Sequence, residues 1–405
     1  MRKALVLVVT CLLSLAYTFS QATSSEQEKK NTNVVVEWRN GLTIQSADNS
    51  FRMQVGGKLH NDWAFQEGDQ QITGLLGELE DGTEFRRARL SMSGLMYEWV
   101  EFKMQVDFAT GDLFFRDVYA GLRDLRGIGN IRIGQFKEPF GLEEQTSASY
   151  IPFMERSLAN ALVPSRNTGV MIHNRQFNAR ASWAVGVFKD TDDFGAGTSD
   201  EDYAITGRVT GLPWFENEGR RLLHLGVAYS RRNTADFARF QQRPEAHLSP
   251  RFVDTGLVPA EAVDLLGTEL ALVHGPASLQ GEYILADTDG GPGREPSFKG
   301  FYLQGSCFLT GENRNYNASE ATLDRVQPRK SFLSREGLGA WEIALRLSKI
   351  DLNNEAVRGG ELMNWTLGLN WYLSSFSRIM WNYVRADLHE TGNADIFQMR
   401  FQIDF

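Results

Sequence analysis

The sequence predicts an all-β protein, a transmembrane antiparallel β-barrel of about 16 strands. Apolar and polar residues alternate over strand-length segments along the chain, and no segment after the N-terminal region has the continuous apolar run of a membrane-spanning helix. At a spacing of about 20–25 residues for each strand and its turn, the alternation accounts for roughly 16 strands. Gly is frequent (38) and Pro is scarce (11), which is typical of long strands joined by tight turns.

The alternation is clearest in FRMQVGGKLHNDWAF, residues 51–65. Phe51 and Met53 share one strand face and Arg52 and Gln54 share the other, because side chains of a strand point alternately to its two faces. The same pattern recurs in residues 87–95, 100–108, 130–136, 180–187, 222–230, 341–348 and 396–405.

Periodicity alone does not decide which face meets water. In a soluble β-sandwich the apolar face is the core, whereas in a membrane barrel it meets lipid and the charged face lines the interior. Large apolar residues fill nearly every position of one face, which would overfill a soluble core, and arginines lie at mid-strand on the other face. Both features favour the membrane barrel. A soluble exported β-protein that binds a ligand through its loops is the alternative.

The N-terminus has the pattern of a secretory signal peptide. Arg2 and Lys3 precede an apolar run, and Ser20-Gln21-Ala22 resembles a cleavage site. The predicted organisation is a signal peptide (1–22), an N-terminal periplasmic segment (23–40) and a barrel domain (41–405).

Three longer stretches interrupt the strand pattern. Two are long connections, at about 231–266 and 311–339, and a third, 137–164, breaks the alternation. Outer-membrane barrels have long loops at one end and short turns at the other. We therefore expect the long connections to lie together at the loop end.

Composition argues against several other functions. The formal net charge of −9 argues against a general nucleic-acid binder, and the six histidines are scattered without metal-type spacing. Catalytic and phosphate-binding motifs are absent, so we predict no enzyme activity, no cofactor and no metal. One acidic loop, residues 190–201, places Asp190, Asp192 and Glu201 at EF-hand-like positions, but Phe194 occupies a ligand position.

Several segments resemble the phosphate-selective porin O and P family of Gram-negative outer membranes. These segments are residues 85–94, 131–141, 137–170, 306–316, 337–354, 367–388 and 399–405. The resemblance implies a water-filled channel in the outer membrane for passive diffusion of small anions such as phosphate or polyphosphate. It also implies a homotrimer whose barrels each have one inward-folded constriction loop. A pore specific for a sugar or a dicarboxylate is the alternative within this class.

The resemblance also assigns roles to individual residues. The pore-lining cations are Arg52, Lys58, Arg87, Arg89, Lys103, Arg132, Arg180 and Arg346. The constriction loop contains Lys137, Glu138, Glu143, Glu144, Ser149, Arg156 and Arg166. Phe405 resembles the signal read by the outer-membrane barrel assembly machinery. Glu144 and Ser149 stand where phosphate-selective members carry lysines, which predicts at most a mild anion preference.

The chemistry of the inner face leaves two roles open for each wall arginine. A guanidinium has a permanent charge and a planar set of donors that match phosphate or carboxylate oxygens. A series of such sites along a low-dielectric wall allows transit where one deep site would trap an ion. The same face also carries Asp62, Glu101 and Asp107, so each arginine either contacts the solute or forms a salt bridge across the lumen.

Overall fold

The computed structural model describes residues 34–38, 41–109, 111–199, 202–290, 295–334, 337–354 and 357–405. The predicted signal peptide lies outside these residues, as does most of the predicted periplasmic segment 23–40. The described part of that segment, Val34–Trp38, forms a strand.

Long antiparallel strands dominate the described chain. A hairpin of β1 (Val34–Trp38) and β2 (Leu42–Ser46) precedes the barrel strands. The barrel strands are β3 (Phe51–Gly68), β4 (Gly82–Met96), β5 (Val100–Asp107), β6 (Phe114–Leu125), β7 (Gly129–Lys137), β8 (Arg166–Gln176), β9 (Ala181–Lys189), β10 (Tyr203–Glu216), β11 (Arg221–Asn233), β16 (Ala262–His274), β17 (Ala277–Asp289), β18 (Ser297–Phe308), β21 (Ala340–Asn354), β22 (Val357–Tyr372), β23 (Ser377–Leu388) and β24 (Gly392–Asp404).

The remaining elements are short and lie in connections. They are β12 (Phe237–Ala238), β13 (Gln241–Gln242), β14 (Val253–Asp254), β15 (Val258–Pro259), β19 (Asn315–Asn317), β20 (Thr322–Asp324), the helices Gln70–Leu76 and Leu142–Gln145, and the 3-10 helices Leu158–Leu162 and Asn217–Gly219. No helix of the described chain is long and apolar enough to cross a membrane.

The sixteen long strands form one closed antiparallel barrel. Each strand pairs with its neighbour along the chain, and β24 pairs with β3 to close the ring. The predicted all-β barrel and its strand number are confirmed.

The barrel closes between Phe405, the residue that follows β24, and the first half of β3. The backbone groups of Phe405 and Gly57 exchange two hydrogen bonds, of 2.7 and 2.9 Å. Beyond this point β2 takes the place of β24 and pairs with the first residues of β3, from Leu42 opposite Val55 to Gln45 opposite Arg52. The aromatic ring of Phe405 stacks on Trp38 of the hairpin at 5.9 Å.

The polarity of the barrel is the reverse of that of a soluble protein. On β3, Trp63 is 45% exposed on the outer face, whereas His60 and Asp62 are buried inside. The largest buried side chains include Arg346 and Arg400, at 1% or less exposure. Since apolar residues cover the outside and charged residues fill the inside, the apolar face is the lipid face.

Aromatic residues collect near the strand ends on the outer surface. Trp341 and Trp371 stack at 5.0 Å near one end of the barrel, and Phe65 and Phe397 stack at 6.4 Å near the other. Two such aromatic belts mark the headgroup levels of a membrane barrel.

The two ends of the barrel differ in their connections. At one end, the turn end, most connections are short: 97–99, 126–128, 177–180, 217–220, 275–276 and 373–376. The opposite end, the loop end, carries the longer connections 69–81, 138–165, 190–202 and 234–261. The segment 309–339 is the exception, because it joins β18 to β21 at the turn end. The expectation that all long connections share the loop end is therefore wrong for this segment.

Three connections, instead of the single one expected, fold into the lumen. They are the constriction loop (138–165), the second loop (234–261) and the turn-end segment (309–339). Each places a buried charged residue against the interior: Glu143, Glu245 and Arg314, respectively. Loop residues supply much of the apolar core as well, with Phe140, Leu158 and Phe252 among its members.

A charge on the outer face tests the membrane assignment. Leu345 is 50% exposed near the middle of β21, so we expect Leu345→Arg to cost about 2–4 kcal/mol of unfolding free energy in lipid. Urea titration of the protein refolded in vesicles measures this cost. Leu75→Arg is the matched control, since Leu75 is 61% exposed on a short loop-end helix. Equal costs for the two variants would contradict the lipid-facing assignment.

Candidate functional site: a cationic chamber in the lumen

A cavity of about 430 Å³ opens between the constriction loop and the wall formed by β3 to β10. We call it the inner chamber. Its lining includes ten basic residues: Lys58, Arg87, Arg89, Lys103, Arg132, Lys137, Arg156, Arg166, Arg175 and Arg208. Three acidic residues also line the chamber: Glu101, Asp117 and Glu320. The wall strands hold most of these cations because the inward positions of adjacent strands lie side by side.

Several of the cations are paired with acids that stand behind the chamber wall. Arg89 Nε lies 2.6 Å from Asp107, and Arg208 makes two hydrogen bonds to Glu269, of 2.7 and 2.8 Å. Neither carboxylate lines the chamber. The guanidinium groups therefore face the cavity while their counter-charges are buried behind them.

Two acids of the chamber itself are also paired. Asp117 lies 2.6 Å from Lys103 Nζ and 2.7 Å from Arg166 Nε. Glu101 lies 3.1 Å from Arg132, whose guanidinium also packs over the Tyr119 ring at 4.2 Å. The excess of positive charge thus remains after these pairs are formed.

Two cations retain unused hydrogen-bonding capacity. Lys58 Nζ donates to Ser147 Oγ at 3.2 Å. Arg87 is 4% exposed, and its Nε has no hydrogen-bond partner among the described residues. Its Nη1 lies 3.8 Å from Glu155, longer than a hydrogen bond. Charged donors of this kind, half-buried in Lys58 and buried in Arg87, favour an anionic partner from solution.

The acidic residues of the constriction loop point away from the chamber. Glu138 accepts hydrogen bonds from Arg232 at 2.8 Å and from Asn167 at 2.7 Å. Glu143 accepts one from Ser157 Oγ at 2.8 Å. Glu138, Glu143 and Glu144 are buried, Glu155 is half-buried, and none of these four loop glutamates lines the chamber, so the acidic composition of the loop does not make its pore surface acidic.

Glu144 sits directly behind two chamber cations. Its carboxylate lies 3.1 Å from Arg156 and 3.6 Å from Lys137. Burial opposes its ionisation, but Arg156 and Lys137 outweigh burial and hold the pKa of Glu144 below its ordinary value. Glu144 is therefore charged and partly offsets both cations.

The wall holds the constriction loop through a carboxylate and two glycines. Glu282 of β17 accepts the backbone N–H groups of Leu142 at 2.8 Å and of Glu143 at 2.7 Å. Gly267 and Gly300 leave room for the loop, because a Cβ atom on Gly267 would lie 2.8 Å from the Phe140 ring and one on Gly300 would lie 2.9 Å from the Ala159 Cα. The loop therefore lies flat against β16 to β18.

Arg346 joins both loops to the wall. It contacts Glu245 of the second loop at 2.5 Å and Glu143 of the constriction loop at 3.3 Å. It also donates to the Glu155 carbonyl at 3.1 Å and packs over the Phe153 ring at 4.3 Å. Arg346 is thus a structural anchor that is buried behind the loops.

A second anchor, Arg400 of β24, holds the same part of the loop. Arg400 donates to both oxygens of Asp62 at 2.6 Å and to Glu155 at 2.9 Å. Burial opposes ionisation of Glu155, but Arg86, Arg87 and Arg400 outweigh it and hold the pKa of Glu155 well below its ordinary value.

Eight of the predicted site residues meet at the inner chamber: Lys58, Arg87, Arg89, Lys103, Arg132, Lys137, Arg156 and Arg166. Ser149 is buried beside it, with its hydroxyl 3.5 Å from His60. Arg52 is exposed on β3 near the turn end, outside the chamber lining.

Arg180 and Arg346 are corrections to the predicted pore wall. Arg180 lies in the turn before β9, where it donates to the Phe215 carbonyl at 3.0 Å, because the strand begins one residue later than the alternation indicated. Arg346 faces inward as predicted, but the two loops cover it.

Sequence reasoning missed Arg208, Glu245 and Glu320. Arg208 lies on an inward position of β10, so extending the alternation to that strand would have found it. Glu245 and Glu320 lie on connections without periodicity, and no sequence signal places them in the lumen.

A second cavity of about 510 Å³, the outer chamber, lies toward the loop end. The end of the constriction loop and the second loop line it with apolar residues such as Leu162, Val163 and Phe240. Arg166 lines both chambers, so it marks the point where they approach each other.

The acidic loop 190–201, whose acids stand at EF-hand-like positions, has another organisation. The Asp192 carboxylate accepts the backbone N–H groups of Phe194 and Ala196, each at 2.9 Å, and Phe194 packs on Phe115 at 5.6 Å. Glu201 lies outside the described residues. Within the described ranges, no group of three or more His, Cys, Asp or Glu residues could hold a metal ion.

A closed 16-strand barrel with a lipid-facing outside and a charged, partly open interior is an outer-membrane porin. The family model described as "Phosphate-selective porin O and P" matches residues 53–405, and the chain belongs to this family. The predicted family, the porin function and the Gram-negative outer membrane as location are confirmed.

Two relatives match nearly the whole chain. Porin O of Pseudomonas aeruginosa is 27% identical over 432 aligned residues, covering 95% of this chain and 94% of its own. An uncharacterized protein of Caulobacter vibrioides is 26% identical, covering 92% of this chain and 76% of its own.

Solved structures share the fold. The anion-selective porin from Comamonas acidovorans has a TM-score of 0.56 at 15% identity, covering 88% of this chain and 100% of its own. OmpT, an outer-membrane protein of Vibrio cholerae, has a TM-score of 0.55 at 11% identity, covering 88% of this chain and 98% of its own.

A methyl group at Gly300 tests how closely the loop approaches the wall. Gly300→Ala places a Cβ against the Ala159 backbone, so we expect the loop to move toward the pore and the single-channel conductance to fall. Gly305→Ala, on the same strand, meets only an ordinary contact at 3.6 Å and is the control. Unchanged conductance in Gly300→Ala would show that the loop does not lie against β18.

Replacing Arg346 tests the loop anchor. Arg346→Met keeps much of the side-chain volume but leaves Glu245 and Glu143 buried without this cation, so we expect a loss of about 3 kcal/mol in unfolding free energy. Arg385→Met is the control, since the Arg385–Asp395 pair is nearly half exposed. Urea titration in vesicles that gives equal losses for the two variants would refute the anchor.

Proposed function

We propose that the protein is a diffusion channel for small anions, with phosphate and polyphosphate among its solutes. The observation that carries this proposal is the lining of the inner chamber, with ten basic residues against three acidic ones. The family's name and the anion selectivity named for the Comamonas acidovorans porin support the same solute class.

The chamber offers an anion replacement for its lost hydration. A phosphate or carboxylate that enters meets charged donors in several directions, including Lys58 and Arg87 from the wall and Arg156 from the constriction loop. The low-dielectric barrel wall strengthens their attraction. Spreading the cations over several strands gives a series of moderate sites, which permits transit.

The acids behind the wall moderate this attraction. Asp107, Glu144 and Glu269 each lie within 3.6 Å of a chamber cation and weaken its field. Each of these paired cations thus has a dual role, since it faces the solute path while its salt bridge stabilises the wall or the loop. We infer a mild anion preference, in keeping with the departures at Glu144 and Ser149.

We also propose the route of the protein to the membrane and its assembly there. The signal pattern in residues 1–22 supports export, and the short turns support a periplasmic turn end, with residues 23–40 on that side. The aromatic side chain of Phe405, at the end of β24, supports recognition by the barrel assembly machinery. The family resemblance supports a homotrimer.

Reversal potentials in planar bilayers test the anion proposal. Under a KCl gradient we expect a mild preference for chloride, which falls when Lys58→Gln and Arg87→Gln are combined. Arg126→Gln is the control, because Arg126 is exposed in a turn away from the chamber. A cation-selective wild-type channel would overturn the proposal.

Competition experiments identify the solute. Phosphate, pyrophosphate, a dicarboxylate and a neutral sugar are each added while the chloride current is recorded. We expect the polyvalent anions to reduce the current most, since their charge matches the chamber. A current reduced by the sugar alone would instead indicate a sugar-specific pore.

A further inference from the structure

We propose that Glu320 acts as a tethered counter-anion on the periplasmic side of the inner chamber, where it limits how long a permeating anion stays. Glu320 belongs to the turn-end segment and reaches the chamber from the end opposite to the constriction loop. The proposal rests on the anion channel proposed above and adds a residue that tunes its selectivity and its sidedness.

The turn-end segment carries Glu320 on a hairpin that enters the lumen. β19 and β20 pair from Asn315 opposite Asp324 to Asn317 opposite Thr322, so Glu320 lies in the tip between them. The Ala321 carbonyl accepts a hydrogen bond from Arg208 at 3.0 Å, and the Tyr316 hydroxyl lies 2.7 Å from His224 Nδ1. These contacts fix the tip to the chamber wall.

Glu320 differs from the other two acids of the chamber. Glu101 and Asp117 each form ion pairs with wall cations at 3.1 Å or less. Glu320 is exposed, and among the described residues no basic side chain lies within 4 Å of its carboxylate. It is still close enough to Arg132 and Tyr119 to interact with them electrostatically. A solvated carboxylate beside a cationic wall occupies the kind of position that a permeating anion takes.

The position of Glu320 gives it a specific effect on transport. A chamber with a large excess of cations would hold a polyvalent anion, and conduction requires that binding be weak enough to permit release. A carboxylate fixed to the wall is present at high effective concentration, so it competes with the solute for Arg132 and repels it as well. Because the hairpin enters from the turn end, this repulsion acts where an inward-moving anion leaves the chamber.

Removing the charge should strengthen anion binding. We expect Glu320→Gln to shift the reversal potential toward stronger anion preference and to tighten the block of chloride current by pyrophosphate about fivefold at low salt. Each pyrophosphate molecule should also block the pore for a longer time, whichever side of the membrane pyrophosphate is added to. The rate of block onset should rise mainly for addition at the turn end, because only that path passes Glu320 first.

Two further variants make the test decisive. Glu390→Gln removes the same charge from an exposed loop-end turn, where the Glu390 side chain is 87% exposed, and should leave the block unchanged. Glu320→Asp keeps the charge and should resemble the wild type. Since Glu320 is exposed at a hairpin tip, we expect all three variants to fold, as a gel shift on boiling in SDS will verify.

The outcomes separate this proposal from the one on which it rests. An anion-preferring wild type with identical block in Glu320→Gln and Glu390→Gln would overturn the role of Glu320 and leave the anion channel standing. A wild type without anion preference would overturn both. Tighter block in Glu320→Gln that lacks the difference between the two sides would overturn its placement on the exit path.

Discussion

Compensation of charge inside the barrel is the constraint on which the rest of the structure depends. Lipid takes the apolar face of every strand, so the charged faces all point into one lumen, where an unpaired ion is costly. Arg346 shows how the cost is offset: its guanidinium holds Glu245 and Glu143, one from each inward-folded loop, against the wall. The loops therefore fold inward to complete the ion pairs that the strands leave open.

The same constraint shapes the chamber. Glu144 of the constriction loop and Asp107 and Glu269 of the wall are buried behind the chamber cations that they neutralise, and none of these three carboxylates lines the cavity. Net charge of a segment is thus a poor guide to the field in a pore. The constriction loop is acidic in composition, yet Arg156 is the charged residue that it presents to the chamber, and Lys137 and Arg166 at its two ends add two more cations there.

The inward segments divide the lumen into regions of different chemistry. The constriction and second loops line an outer chamber where apolar residues such as Leu162 and Phe240 stand beside charged ones such as Arg232 and Arg239. The turn-end segment brings a third acid, Glu320, to the mainly cationic inner chamber. Arg166 lies where the two chambers approach. A solute therefore meets successive environments, so the order of these segments along the pore matters as much as the number of charges.

The sequence by itself determined the barrel, its strand number, its lipid face and most wall cations, because alternation is a local property that survives in any strand. Lys58, Arg89 and Lys103 could be predicted for this reason. Only the tertiary structure decided that Arg346 is an anchor, that Glu144 stands behind two cations and that Glu320 enters from the turn end. Those outcomes depend on contacts between residues far apart in the chain, made by connections that have no periodicity to reveal where they fold.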